Sequence, residues 1–238
     1  MKQVAIYLTN TDDSAFADNH PDDAEKVAAA LRAVGADFAF SLFNVTKGVF
    51  PEDPLAFDAV ILTGSPAYVD DDFGWIARAL DDIRKIETAR IPMVGLCFGH
   101  QAIIAALGGE VAKRDFWIFG ATGFTVADHR SWMQPPQPEM RLYAANKAQA
   151  VALAEGMELI GSGANCPIAV TCKGDHVFTT QFHPEMSDSF IAALVEEYRG
   201  YLGPEVSEKA DSSLTDGANG DVFMTWIKNF IELERDEG

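Results

Sequence analysis

The sequence lacks any long apolar run. Of its 238 residues 48% are hydrophobic, yet no stretch approaches the roughly 20 consecutive apolar residues that a helix needs to span a bilayer. The opening residues enter a predicted strand at once, without the basic, apolar and small-residue regions of a secretory signal. We therefore expect a cytoplasmic protein that does not contact a membrane.

Cations and cysteines are also scarce. The chain has 18 Lys and Arg against 36 Asp and Glu, a net charge of −18, and a field of this sign repels nucleic acid and anionic membranes. Cys97, Cys166 and Cys172 cannot all pair within one chain and have no metal-ligand spacing. We expect a reducing compartment, no metal and no nucleic-acid partner.

The order of the predicted elements indicates an α/β fold. Apolar runs without polar alternation, such as Ala59–Leu62, are typical of strands that are buried on both faces of a parallel sheet. We expect one domain over residues 1–238, with a mostly parallel central sheet flanked by helices. Strands are predicted at 3–8, 37–43, 59–62, 92–96, 167–172 and 176–182, and helices at 22–34, 75–86, 101–107, 189–198 and 221–233.

Two further segments do not follow the alternation of strand and helix. Residues 110–127 and 140–153 are predicted as short strands separated by a proline-containing loop, which indicates a small additional β region. Residues 203–220 are rich in Ser, Asp, Glu and Gly, and we predict a surface excursion there.

Cys97 stands where an apolar strand meets a helical pattern. A side chain at the tip of such a sharp turn has a strained backbone, so the residues two before and two after it must be very small. Gly95 and Gly99 meet this need. The N-terminus of the following helix favours a thiolate over a thiol. These features predict that Cys97 is a nucleophile.

A cysteine nucleophile needs a general base, and the base needs a group that orients its ring. Among the five histidines, His183 follows the predicted strand 177–182, at the end where parallel-sheet proteins place their chemistry. Glu185 lies two residues further on, near enough to bond the far ring nitrogen. The other histidines lie in polar loops, beside a turn or in the helix after the elbow. We therefore predict a Cys97, His183, Glu185 triad.

The segment Gly95–Gln101, of sequence GLCFGHQ, and the segment His183–Glu185, of sequence HPE, together resemble class I glutamine amidotransferases. Within that family the chain is most similar to stand-alone proteins that resemble the amidotransferase domain of GMP synthase. Thr63–Pro66 stands in the place of the family's oxyanion loop, and Asp221–Trp226 adds to the similarity near the end of the chain. The resemblance implies a flavodoxin-like fold that requires no cofactor.

The resemblance also implies roles for individual residues. Cys97 would be the nucleophile, His183 the base and acid, and Glu185 the orienting carboxylate. The backbone N–H groups of Ser65 and Phe98 would form the oxyanion hole, and Gly64, Gln101 and Asn146 would contact the substrate.

Two departures from the family pattern concern the substrate region. Ser65 replaces a glycine that is frequent in the oxyanion loop, and this changes the room there but keeps the N–H. The segment Asn146–Gln149 replaces a Ser-His-x-Asp stretch that helps GMP synthase-like members to grip glutamine. Both departures concern the recognition of glutamine and leave the predicted triad unchanged.

The expected activity is hydrolysis of the glutamine side-chain amide through a γ-glutamyl thioester. The chain has no glycine-rich phosphate loop of the kind that an ATP-using synthetase needs, so any acceptor chemistry belongs to a separate synthetase chain, or none exists. Two alternatives stay open: a γ-glutamyl hydrolase or peptidase acting on γ-glutamyl amines or peptides, and a non-catalytic regulatory subunit. Cysteine-elbow proteins of the intracellular-protease type fit the fold but do not use a late His-Pro-Glu.

Overall fold

A nine-stranded sheet runs through the computed structural model, which describes residues 1–235. Its spatial order is β2-β1-β3-β4-β9-β8-β7-β5-β6. The strands are β1 (Lys2–Leu8), β2 (Phe38–Asn44), β3 (Ala59–Leu62), β4 (Met93–Leu96), β5 (Glu110–Val126), β6 (Glu139–Ala152), β7 (Glu158–Gly163), β8 (Cys166–Lys173) and β9 (Val177–Thr180). The helices are α1 (Ala15–Asp18), α2 (Asp23–Ala33), α3 (Gly74–Thr88), α4 (Phe98–Ala106), α5 (Asp188–Leu202), α6 (Pro204–Ser213) and α7 (Gly220–Glu232).

Five strands, β2, β1, β3, β4 and β9, form the parallel half of the sheet. Successive side chains of β1 point to opposite faces, so Val4 and Ile6 pack in the core with α2 and α7, whereas Ala5 and Tyr7 pack with α3 and α4. Every residue of β3 and β4 is buried, because helices cover both faces. The predicted single α/β domain with a mostly parallel central sheet is confirmed.

The other four strands form the antiparallel half, in which β8 pairs with β9, β7 with β8, and β5 with both β7 and β6. Helices α5 and α6 pack on this half through buried residues that include Ile191, Val195 and Ala210. The additional β region was predicted correctly in place but not in size. β5 is 17 residues long and β6 is 14, because the two strands continue to pair through a shift of register between Lys113 and Ile118.

The segment 203–220, predicted as a surface excursion, lies at the surface with only Ser207 and Ala210 buried, but most of it is helical, since α6 and a 3-10 turn at Leu214–Asp216 occupy it. Pro204 suits the first turn of a helix. The helix then packs closely against β5, where a Cβ atom added to Gly120 would lie 3.0 Å from the Cα of Ala210. Tertiary contact thus stabilises a helix that its polar composition obscures.

Three smaller differences concern the ends and number of elements. Helix α4 begins at Phe98, immediately after the elbow, rather than at residue 101. Strand β7 was not predicted, since its glycines weaken the alternating pattern. The short helix α1 lies in the acidic loop before α2 and is capped by Ser14. Within residues 1–235, no helix is both long and apolar enough to cross a bilayer.

Candidate active site

The turn from β4 to α4 places Cys97 at the carboxyl edge of the parallel strands. Its backbone has φ 50° and ψ −101°, a conformation that residues other than glycine seldom adopt. A Cβ atom at Gly95 would lie 2.6 Å from the carbonyl group of Gly99, and one at Gly99 would collide with the carbonyl oxygen of Leu62. The two glycines therefore make room for a strained turn that presents the sulfur.

His183 lies just beyond the end of β9, beside β6. Its backbone N–H donates to the carbonyl oxygen of Tyr143 at 2.8 Å, which ties the histidine to the antiparallel half. Its Nδ1 lies 2.7 Å from Oε1 of Glu185, and both side chains are buried. The structure thus places Cys97 and His183 on the wall of the same cavity, with Nδ1 of His183 facing the Glu185 carboxylate.

The pKa of the His183 ring depends on its burial and on the charged groups beside it. Burial of His183 lowers its pKa, but the charges of Glu185 and Cys97 and the hydrogen bond to Glu185 outweigh burial and raise the pKa well above its usual range. These groups favour the imidazolium form of the ring, which is suited to protonate a leaving nitrogen.

Gly64 contacts the ring of His183. A Cβ atom added to Gly64 would lie 2.6 Å from Cε1, so only glycine fits without moving the imidazole. The sequence predicted Gly64 as a substrate contact. The structure places it at the cavity wall and also against His183, where it leaves room for the ring.

The predicted oxyanion loop is held against the start of α4. The Gly99 N–H donates to the Thr63 carbonyl oxygen at 3.0 Å, and the Thr9 hydroxyl hydrogen-bonds with the carbonyl oxygens of Thr63 and Gly64, each at 2.9 Å. The Ser65 hydroxyl accepts from the N–H of Ala67, so this side chain is turned toward its own loop. Within residues 1–235 the N–H groups of Ser65 and Phe98 donate no hydrogen bond, and the oxyanion hole stays a prediction.

Gln101 and Asn146 share an unexpected hydrogen-bond partner. Nε2 of Gln101 donates to the carbonyl oxygen of Ala148 at 2.8 Å, and Nδ2 of Asn146 donates to the same oxygen at 3.1 Å. Oδ1 of Asn146 has no partner within the described residues. Both N–H groups of Gln101 are engaged inside the protein, since Nε2 also donates to Oε1 of Gln181 at 3.2 Å, so Gln101 has only its oxygen left for a ligand, whereas Asn146 keeps Oδ1 and one N–H.

Cys97 and His183 open into one cavity of about 670 Å³. The loop before α2, which carries α1, forms a large part of its wall, together with aromatic side chains from β5 and α5. The cavity-lining residues include Gly64, Ser65, Gln101 and Asn146, the aromatic Phe16, Trp117, Phe119, Phe190 and Tyr198, the acidic Asp12, Asp13, Asp18, Asp22 and Asp23, and the basic Lys26, Lys47 and Lys147. Within residues 1–235 no cluster of three or more His, Cys, Asp or Glu could hold a metal ion.

Sequence reasoning missed one side chain in contact with the sulfur. Nε2 of the fully buried Gln181 lies 3.7 Å from Sγ of Cys97. Gln181 precedes His183 by two residues, but the chain bends at 181–182, after the end of β9, so strand alternation gives no signal for this contact. The cavity wall formed by the loop 10–23 had no signal either, because its sequence indicates only a polar, acidic loop.

Comparison with known proteins bears on the family of this chain. The family model of glutamine amidotransferase class-I matches residues 16–191. Gamma-glutamyl peptidase 3 of Arabidopsis thaliana is 24% identical over 205 residues, which are 81% of this chain and 82% of that protein. The glutamine-hydrolysing GMP synthase subunit of Sulfolobus acidocaldarius is 27% identical over 143 residues, 60% of this chain and 74% of that protein.

A solved structure shares the fold along the whole chain. A glutamine amidotransferase from Thermotoga maritima superposes with a TM-score of 0.75 at 16% identity, and the match covers 98% of this chain and 99% of that one. Because the family model matches well over half of its residues, this chain belongs to the class I glutamine amidotransferase family. The resemblance predicted from the two motifs is confirmed.

Proposed function

We propose that the protein hydrolyses the side-chain amide of glutamine through a γ-glutamyl thioester on Cys97. The observation that carries this proposal is the buried pair of His183 and Glu185, 2.7 Å apart, beside a cysteine on a strained elbow. A nucleophile, a base and an orienting carboxylate are the three parts that covalent amide hydrolysis needs. An intact set of this kind favours an enzyme over a regulatory subunit.

The reaction begins when the Cys97 thiolate attacks the amide carbonyl carbon and forms a carbon–sulfur bond. The negative charge that develops on the carbonyl oxygen is stabilised by the N–H groups of Ser65 and Phe98, and such a donor typically contributes about a hundred- to thousandfold in rate. Protonated His183 gives its proton to the amide nitrogen, the carbon–nitrogen bond breaks, and ammonia leaves. The γ-glutamyl group remains on the sulfur as a thioester.

The thioester is then hydrolysed. Neutral His183 takes a proton from a water molecule, whose oxygen attacks the thioester carbon, and the carbon–sulfur bond breaks to release glutamate and the thiolate. Glu185 keeps Nδ1 bonded throughout, so the other ring nitrogen faces the reaction. The oxygens of Gln101 and Asn146 are suited to accept hydrogen bonds from the substrate's α-ammonium group.

A second candidate is hydrolysis of γ-glutamyl amines or peptides, in which the amide nitrogen carries a substituent. The cavity of about 670 Å³ favours it, since this volume lies within the range of roughly 300–1,000 Å³ that holds drug-sized ligands and exceeds what glutamine fills. Its aromatic wall could receive an apolar substituent. The similarity to a gamma-glutamyl peptidase supports the same candidate.

The partner depends on which candidate holds. If free glutamine is the substrate, we propose that the ammonia passes to a separate synthetase chain, as the similarity to a glutamine-hydrolysing GMP synthase subunit suggests. If γ-glutamyl amides are the substrates, no acceptor chain is required.

The test is a comparison of kcat/KM for glutamine, measured as ammonia release, with kcat/KM for γ-glutamyl amides, measured as amine release. Cys97→Ala is the control for both. A higher value for glutamine supports the first candidate, and a higher value for the substituted amides supports the second. Hydrolysis of both by Cys97→Ala at the wild-type rate would refute the proposed mechanism.

A further inference from the structure

Gln181 belongs to a short chain of buried amide groups that ends at the nucleophile. Its side chain has no solvent exposure. Oε1 of Gln181 accepts a hydrogen bond from Nε2 of Gln101 at 3.2 Å, and Nε2 of Gln181 lies 3.7 Å from Sγ of Cys97. Nε2 of Gln101 also donates to the carbonyl oxygen of Ala148 at 2.8 Å.

The orientation of both amides follows from the contact between Gln101 and Ala148. A backbone carbonyl oxygen can only accept, so the Gln101 atom beside Ala148 must be the NH₂ group. The Gln181 atom that faces this NH₂ must in turn be its oxygen. The NH₂ group of Gln181 is therefore the part that faces the sulfur. The Ala148 carbonyl, two side chains away, thus decides that Cys97 meets a donor.

A donor at this position distinguishes the two states of the sulfur. A thiolate can only accept hydrogen bonds and accepts strongly, whereas a thiol is a weak acceptor. We propose that Gln181 stabilises the Cys97 thiolate through its NH₂ group, and that Gln101 acts as a positioning residue by holding that amide in the required orientation. This assignment rests on the proposed role of Cys97 as the nucleophile.

The test is the pH dependence of Cys97 alkylation by iodoacetamide, followed by peptide mapping in the full chain. This measurement needs no substrate. Gln181→Met removes the donor and preserves the volume. We expect the alkylation midpoint to move up by about one pH unit, and hence about tenfold less thiolate below the midpoint, since hydrogen bonds to charged groups are the stronger ones.

A second variant tests whether Gln101 orients the Gln181 amide, rather than the contact between Gln181 and the sulfur. Gln101→Met leaves Gln181 in place but frees its amide to turn, so we expect a smaller upward shift of the midpoint, by a few tenths of a pH unit. Gln149→Met is the matched control, because Gln149 is also a buried glutamine but makes no contact with the sulfur. Its midpoint should equal that of the wild type.

The outcomes separate this inference from the proposed function. If Gln181→Met and Gln101→Met both keep the wild-type midpoint, or if Gln149→Met shifts it equally, the assignment is overturned. Should Gln181→Met fail to fold, the shift in Gln101→Met decides. A wild-type protein that is inactive on every γ-glutamyl amide, while the midpoints move as expected, would refute the function and leave the role of Gln181 intact.

Discussion

The parallel and antiparallel halves of the sheet make different contributions to the site. The carboxyl ends of β3, β4 and β9 supply the loop with Gly64, the elbow with Cys97 and the segment with His183. The antiparallel half supplies Asn146, the carbonyl oxygen of Ala148, and Trp117 and Phe119 of the cavity wall. His183 connects the two halves. It follows β9 of the parallel half and bonds Glu185 on its own segment, and its backbone N–H donates to the carbonyl oxygen of Tyr143 in β6.

The two halves also differ in how regular they are. Strands β3 and β4 are short and fully buried, and their register is unbroken. β5 is long and half exposed, and Trp117 lies in it where the register with β6 shifts. Bulges of this kind often re-aim side chains beside active sites. We infer that the parallel half supplies the residues that carry out the reaction, and that the antiparallel half determines which substrate is accepted.

Among substitutions in the parallel half, removal of the Cys97 thiol should lower the activity most. Cys97→Ala should lower kcat/KM by at least about ten-thousandfold, because the covalent step is lost. Its thermal midpoint should stay close to that of the wild type, since the elbow glycines and the packing around them remain. Rates are measured as ammonia or amine release, and thermal unfolding by circular dichroism is the control. Substantial residual activity would contradict the division of roles.

Loss of the orienting carboxylate comes next. Glu185→Gln should lower kcat by about a hundred- to ten-thousandfold, the range typical of general acid–base catalysis. The charge of Glu185 raises the pKa of His183, so its removal lowers that pKa. Imidazolium is then lost at a lower pH, and the alkaline limb of the kcat/KM profile should move to lower pH. A shift to higher pH would contradict the assigned electrostatics.

A methyl group at Gly64 tests the position of the base. Gly64→Ala should displace the His183 ring, and a misplacement of about 1 Å can cost about a hundredfold in rate. Gly200→Ala is the matched control, because nothing lies within 4 Å of its added Cβ in helix α5. The control should keep full activity and gain about 0.5–1 kcal/mol of stability. Equal losses of activity in both variants would argue against a specific contact.

The smallest effect on activity is expected for a substitution in the part of the cavity wall that β5 forms. Trp117→Ala should lower kcat/KM for a γ-glutamyl amide with an aromatic substituent by about tenfold, because an aromatic contact is lost. Hydrolysis of glutamine should change by less than about twofold. Tyr201→Ala is the control, since Tyr201 packs on Trp117 at a centroid distance of 5.8 Å but does not line the cavity. A parallel loss for both substrates would mean that the wall serves the reaction itself.

Much of this site could be predicted from local patterns. The glycines around Cys97 are required by sterics within five residues, and His183 and Glu185 lie two residues apart, so both features are visible in the sequence. Gln181 was missed because nothing local indicates that its amide reaches a sulfur 84 positions away along the chain. Helix α6 was missed because its packing on Gly120, rather than its own composition, stabilises it.

The strained elbow, the order of the chemistry-bearing segments along the chain and the family follow from the amino-acid sequence, because they depend on sterics and periodicity over short stretches. The direction in which the Gln181 amide faces, the atoms of Gln101 that remain for a ligand, and the extent of the cavity beyond Cys97, His183 and Glu185 depend on the folded chain. These properties arise from hydrogen bonds and packing between distant segments, and such contacts exist only once the sheet has assembled.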